Sequence, residues 1–356
     1  MIFTKHGRSG MMSAPHHLAA EAGANILRAG GNAVEAMVAA AATIAVVYPH
    51  MNSIGGDGFW IISEPGKEPI GIDACGPAAA LATVDAYKRA NCDSIPARGP
   101  LAALSVAGTL SGWASALDVA SSWGTAIPLP DILADAVGHG RAGVSVTRGQ
   151  EKLTGEKLAE VKAVPGFART YLSDEGKVLE EGAILKQPAL AATLERLGQA
   201  GLDDFYRGDV ARALASGLEN TGSFLRLSDL ESYHALPVAP LSVGLDCGQI
   251  YNMPPPTQGV SALMILALFE RLGVKQAESF DHIHGLVEAT KQAFILRDAH
   301  VTDPACMNVD AAAWLQADFL DGRAANIDKA NALPWPHVAK PGDTIWMGAA
   351  DKSGRV

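Results

Sequence analysis

"SAPHHLAAEAGANILRAGGNAVEAMVAAAATIAVVYPHMNSIGGDGFWIIS", residues 13–63, decides the fold class. Leu18, Ala22, Ile26 and Ala29 recur at helical spacing, and Gly30-Gly31 follows as a C-cap does. Asn32 opens the next helix, with Glu35 three residues on as in a capping box, so two helices meet at a tight diglycine corner. The second, "AVEAMVAAAATIAVV" (33–47), is mostly alanine and carries Glu35. Too short and small-sided to cross a bilayer, it reads as a buried helix that lets neighbours come close. It runs into Pro49 and the loop "HMNSIGGDGF" (50–59); "FWIIS" (59–63) and "PIGID" (69–73) then read as a hairpin around Glu64-Pro65-Gly66-Lys67.

Farther along, four segments carry 3.6-period apolar faces: 109–123, 129–143, 187–201 and 202–220. A strand is expected over "PLSVGLDCGQIYNMP" (240–254), and two long helices over 257–273 and 281–300. The order β, many α, then β suits an α+β layered fold and not a dinucleotide βαβ series. With 48% hydrophobic and 19% charged residues among 356, the chain has ample material for a core, and no Ser/Gly/Pro linker divides it; one domain is expected. A net charge of −10 without a basic run argues against nucleic acid or an anionic membrane as partner. Cys75, Cys92, Cys247 and Cys306 are scattered without C-x-x-C spacing, so neither a zinc ribbon nor a disulfide framework is indicated. The N-terminus lacks the apolar run of a signal peptide, which predicts a cytoplasmic protein.

The polar clusters divide by chemistry. Gly55-Gly56-Asp57-Gly58 lacks both G-x-G-x-x-G spacing and a P-loop ending, so it reads as a place where backbone passes close to another group. His16-His17, His282/His284 and Asp298/His300/Asp303 have no strong ligand spacing; no metal and no cofactor are expected. No G-x-S-x-G elbow is present. At the other end, "PGDTIWMGAADKSGRV" (341–356) alternates like a buried strand and closes on a turn, Asp351–Gly354. Thr344 follows Gly342-Asp343 there. A threonine hydroxyl needs a base beside it, and cleavage of the 343–344 bond would supply one in the residue's own α-amine. By pattern alone, Gly-Asp-Thr at a strand start is usually just a turn.

Residues 13–63 resemble the N-terminal signature of the γ-glutamyltranspeptidase family. So do "QPALAATLERLGQAGLDDFYRGDVARALASGLENTGSFLRLSDLESYHA" (187–235), "YNMPPPTQGVSALMIL" (251–266) and "DTIWMGAADKSG" (343–354), in the same order. The resemblance implies an N-terminal-nucleophile hydrolase αββα sandwich and a proenzyme that cuts itself before a threonine. It assigns 1–343 to a large subunit, Thr344 to the nucleophile and 344–356 to the start of a small subunit. It further implies that oxyanion-hole and other binding residues lie beyond Val356, that the small subunit is a partner, and that the assembly is a heterodimer or a dimer of heterodimers. Where γ-glutamyl-specific members carry a carboxylate-binding arginine, the line reads Asp73-Ala74-Cys75-Gly76-Pro77, and a thiol cannot replace a bidentate guanidinium. "GDGFW" and "DTIWMG" are similar to the oxamate amidohydrolase branch, which implies hydrolysis of a small carboxylate-bearing amide. Arg98 is the substitute candidate for the carboxylate, with Cys75, Gly55 and Gly56 also at the substrate. Two other readings stand beside this one: a γ-glutamyltransferase or glutathione hydrolase, and a truncated, non-catalytic binding paralogue. The strand around Thr344 is expected to be central, with Ile345 and Met347 largely buried and Thr344 open to a cleft at Gly55–Gly58.

Overall fold

The computed structural model describes residues 4–124, 126–335 and 344–356. Where one domain is expected from the sequence, contacts group the chain into two compact units: Met1–Glu68 with Ile72–Leu236 and Gly342–Val356, and Pro69–Gly71 with Pro237–Pro341.

The first unit is built around the alanine-rich helix. The first helix, His17–Arg28, begins where the His16 Nδ1 accepts from the Leu18 amide, and Gly30 (φ 94°) turns the chain out of it. Asn32 Oδ1 accepts from the amides of Val34 and Glu35, and Glu35 Oε2 accepts from the Asn32 amide, so the capping box is complete. The second helix, Ala33–Val47, is buried on nearly every face, its alanines allowing close approach. It packs against His17–Arg28 and against the helix Leu129–Ala142, which in turn packs against Pro188–Ala200. Leu110, Trp113, Leu133, Leu194 and Tyr206 fill the shared core. Strands Gly58–Ile62 and Ile70–Ala74 are neighbours in one sheet, within a residue of expectation.

Two segments differ from their sequence reading. Residues 202–220 form two helices, Asp204–Arg207 and Asp209–Asn220, because Gly208 leaves the helical region (φ −110°, ψ −152°). In the second unit, 240–254 is a hairpin of Leu241–Leu245 against Gly248–Asn252. Gly248 (φ 133°) permits the tight turn, and Glu270 Oε1 accepts from the Asp246 amide there. The second unit's core lies among the helices Gly259–Arg271, Phe280–His300 and Ala317–Ala325, with Leu263, Met264 and Leu268 fully buried. Among the described residues no helix is long and apolar enough to cross a membrane.

Candidate active site

The segment that carries Thr344 is held from its far end. Residues Gly348–Asp351 pair antiparallel with Gly10–Ser13, in the register Ser13↔Gly348 to Gly10↔Asp351. The small residues of this strand fit beneath the alanine-rich helix, and Ala349 joins the core. Asp351 is buried and makes three contacts: Oδ1 accepts from the amides of Ser353 (2.8 Å) and Arg355 (3.2 Å), and Oδ2 from the Ala33 amide (3.3 Å). The carboxylate thus closes the turn and binds the first turn of a helix, where negative charge is favoured. After the turn Val356 exchanges both backbone hydrogen bonds with Ser63, so the returning half of the hairpin starts inside this chain.

This corrects the expectation of a central strand over 344–350. The regular strand begins only at Gly348, and among the described residues it has a single neighbour. Thr344 is exposed, Ile345 and Met347 are half-buried, and Trp346 is 75% exposed. The physical reason is size: Gly-Ala-Ala can lie against the packed helix, whereas the bulky Ile-Trp-Met run ahead of it stays outside the ladder. Asp343 lies outside the described residues.

The glycine loop is pinned by its carbonyls. Gly56 O accepts from the amides of Gly108 (2.9 Å) and Thr109 (3.0 Å) and from Thr109 Oγ1 (2.7 Å), which also reaches Asp57 O (3.1 Å). A Cβ on Gly56 would meet nothing within 4 Å, and one on Gly55 only Ser53 Oγ. These two glycines leave open space in front of a fixed backbone. Gly76 and Gly108 are different: a Cβ there would stand 1.7 Å from Val106 O and 1.8 Å from Ala74 O. They let the Asp73–Gly76 segment approach the loop's support.

That close approach brings Cys75 to the loop. The Cys75 thiol and the Gly76 amide both donate to the Asp57 carboxylate, and the Cys75 amide donates to Asp73 Oδ1 (2.8 Å). Asp57 is solvent-exposed as a residue, yet its carboxyl is partly desolvated; that burial pushes its pKa above the ordinary carboxylate value, and Asp73 adds to the rise. Tyr233 is near enough to interact electrostatically with Asp57, Asp73 and Cys75, its hydroxyl buried and without a hydrogen-bond partner among the described residues. Burial raises the phenol pKa, and Tyr206, Asp73, Cys75 and Asp57 push it the same way, so it stays neutral. Sequence reasoning singled out Cys75 and Asp57 but not Asp73 or Tyr233; the only signal for Tyr233 was its place in the 187–235 run.

Arg98 lies on an exposed ion pair, its Nε 3.7 Å from Glu160 Oε2, a contact too solvated to hold the guanidinium firmly. His16 caps a helix, and His284 Nε2 bonds the Asp328 carbonyl (2.8 Å). Among the described residues no three His, Cys, Asp or Glu side chains are grouped to hold a metal ion.

A two-helix corner, a glycine loop fixed by its carbonyls and a threonine ahead of a short anchored strand follow one another along the chain in the order the sequence resemblance requires. The Gamma-glutamyltranspeptidase family model matches residues 19–356. The chain belongs to that family. It is 49% identical over 97% of its length to the oxamate amidohydrolase proenzyme of Klebsiella pneumoniae, covering 65% of that protein. It is 30% identical over 98% to the glutathione hydrolase proenzyme of Escherichia coli, covering 62%. The chain therefore spans about two-thirds of the length of the curated family members it matches. The cephalosporin acylase of Bacillus halodurans superposes with a TM-score of 0.87 at 27% identity, over 99% of this chain and 66% of its own. Gamma-glutamyltranspeptidase from Pseudomonas nitroreducens, solved with L-DON, gives 0.82 at 27% identity, over 92% of this chain and 97% of its own. The fold is the family's α+β N-terminal-nucleophile hydrolase fold.

Proposed function

We propose that the protein is an autoprocessing N-terminal-threonine amidohydrolase acting on a small carboxylate-bearing amide such as oxamate. The 49% identity to an oxamate amidohydrolase proenzyme, against 30% to a glutathione hydrolase proenzyme, carries this reading. Cys75 supports it: a thiol that donates to Asp57 offers no cation for the carboxylate of a γ-glutamyl group. Residues 1–343 act as the large subunit and Thr344 opens the small one, completed by sequence beyond Val356. The match to nearly the whole of the shorter Pseudomonas nitroreducens chain, against two-thirds of the proenzymes, supports a division near this point. The resulting heterodimer is cytoplasmic and can pair into a dimer of heterodimers.

In processing, Thr344 Oγ attacks the Asp343 carbonyl carbon, the peptide C–N bond breaks as the acyl group moves to oxygen, and water hydrolyses the ester. The freed α-amine then serves as base for the same hydroxyl. Thr344 Oγ bonds to the amide carbonyl carbon of the substrate; the C–N bond breaks and ammonia leaves with the transferred proton. Water cleaves the acyl ester, which for oxamate releases oxalate and restores the hydroxyl. Gly55 and Gly56 give the substrate room against a fixed backbone, and Arg98 is the candidate cation for its carboxylate.

Denaturing electrophoresis with intact-mass analysis of the full-length gene product tests this. Two fragments are expected, the smaller beginning at Thr344, with ammonia released from oxamate faster than anilide from γ-glutamyl anilide. Thr344→Ala abolishes both cleavage and amide hydrolysis, since one hydroxyl serves both; normal cleavage in that variant removes the assignment. Efficient γ-glutamyl transfer to a dipeptide would instead select the γ-glutamyltransferase reading.

A further inference from the structure

Histidines gather where the glycine loop leaves the alanine-rich helix. His16, buried at the N-cap of the helix His17–Arg28, stacks on His17 with ring centroids 4.6 Å apart. Tyr48, at the C-cap of the helix Ala33–Val47, links this pair to the loop: its ring centroid is 6.2 Å from that of His16 and 4.2 Å from that of His50. Both ring nitrogens of His50 are buried and have no hydrogen-bond partner among the described residues. A Cβ on Gly149 would stand 3.6 Å from His50 Nε2, so the start of the helix Arg148–Val161 lies against this ring. His139, on the helix Leu129–Ala142, is near enough to act on His16.

The arrangement suits neutral rings only. His16 Nδ1 caps its helix by accepting from the Leu18 amide; an imidazolium has no acceptor left and places a positive charge at a helix end that favours anions. A charged His50 would be a buried cation with neither N–H paired. The charged groups on the surrounding elements do not compensate. Glu21 and Arg28 on the first helix, Glu35 on the second, Asp131, Asp135 and Arg141 on the helix of His139, and Arg148, Glu151 and Lys152 on the helix against His50 are not among the groups that act on either ring. Three of these carboxylates are engaged elsewhere: Glu35 by the amides of Asn32 and Ile127, Asp135 by the Asn25 side chain and Glu151 by the Glu181 amide. Burial holds His16 and His50 below the ordinary 6.5; His17 and His139 push His16 the same way, and His16 pushes His50.

We propose that His16, Tyr48 and His50 form a latch that acid opens. With both imidazoles neutral it fastens the start of the glycine loop to the head of the first helix and to the start of the helix Arg148–Val161. Protonation makes the rings repel one another, removes the helix cap and frees residues 48–51. The loop is then held only at its other end, where Gly56 O accepts from Gly108 and Thr109. A group held below its unfolded value adds stability above that value and loses it as pH falls, so the latch is closed above 6.5 and opens progressively below it. Asp57, whose carboxyl is held above its ordinary value, shifts stability in the opposite direction, and Asp204 acts only below its ordinary 3.8. The latch goes beyond the substrate reading, and its readouts need no turnover.

The test uses the full-length protein, its His50→Gln and His16→Asn variants, and the two changes combined. Glutamine does not titrate, and asparagine keeps an acceptor at the N-cap. Melting midpoints and amide hydrogen exchange, corrected for the intrinsic effect of pH, are followed from about pH 7.5 to about pH 5.5, the range in which histidine titrates. In the parent the midpoint falls, and protection in residues 14–20 and 48–58 drops by about fivefold or more while the helix Pro188–Ala200 stays protected. Each single variant loses part of this pH dependence and the combined variant most of it; His6→Gln, at an exposed position, keeps it all. A parent with no change over this range overturns the latch. So does a combined variant that follows the parent, or a loss of protection spread evenly over the Pro188–Ala200 helix and the two segments, since the acid effect would then be global. If the combined variant does not fold, the single variants decide: unchanged pH dependence in both removes the proposal.

Discussion

Asp351 shows how much one side chain organises at the residue scale. Its carboxylate satisfies two amides of the terminal turn and one at the start of the alanine-rich helix, so it links the strand behind Thr344 to the most buried element of the unit. Asp351→Ala leaves those amides without their acceptor at a cost of about 1–3 kcal/mol. The expected result is a lower thermal midpoint and slower appearance of the cleaved fragments, because Thr344 is held through this strand. Asp351→Asn, which keeps an acceptor, should recover part of both. A wild-type midpoint and cleavage rate in Asp351→Ala would show that the strand is held without the carboxylate. Thr344 itself obeys a different constraint. As the proposed nucleophile it has to be reachable, and it is exposed.

At the scale of elements, helices are joined by charged and polar links at their ends. Asp204 accepts from Arg196 on the helix Pro188–Ala200 and from the amides of Asp209 and Val210, which start the helix Asp209–Asn220. The Arg196 hydrogen bond, helped by the two amides and opposed by desolvation, pulls its pKa from the ordinary 3.8 to about 2. A folded pKa below the unfolded one stabilises the protein above the unfolded value, and that stabilisation is lost as pH falls from about 4 toward 2. Asp204→Asn should therefore melt lower than the parent at pH 6, and the two melting curves should converge near pH 2. Equal midpoints at pH 6 would mean the link contributes nothing. The break at Gly208 belongs to the same junction: a Cβ there would lie 2.0 Å from Asp204 Oδ1, so the carboxylate needs the space the glycine leaves.

For the whole molecule, cleavage and catalysis are expected to depend on one hydroxyl, which makes them titrate together across conservative changes. Thr344→Ser keeps hydroxyl and amine but loses the methyl that restricts the side-chain rotamer. Both self-cleavage and amide hydrolysis should fall together, on the order of tenfold, through poorer orientation. A variant that cleaves normally but fails on substrate would separate the two roles. The alanine-rich helix, its capping box at Asn32–Glu35 and the diglycine corner were legible in the sequence, because they rest on local periodicity, capping and backbone freedom. The order of the family-like segments was legible as a resemblance, and the family match over residues 19–356 agrees with it. The extent of the strand after Thr344 was not: alternation over 344–350 describes what a strand would bury, while pairing with Gly10–Ser13 decides which residues form one. Likewise the 240–254 run hid its turn, since Asp246-Cys247-Gly248 reads equally as strand until the partner strand is placed. The meeting of Asp57, Asp73, Cys75 and Tyr233 joins residues up to 176 positions apart, from 57 to 233, and no local signal encodes it. Sequence by itself determined most of the helices and the corner, because these follow from neighbours in the chain, and it offered Thr344 as a candidate only through the family resemblance. Only the tertiary structure decided which carboxylate faces the cysteine and where the last strand begins, because those depend on which distant backbones can approach within a hydrogen bond.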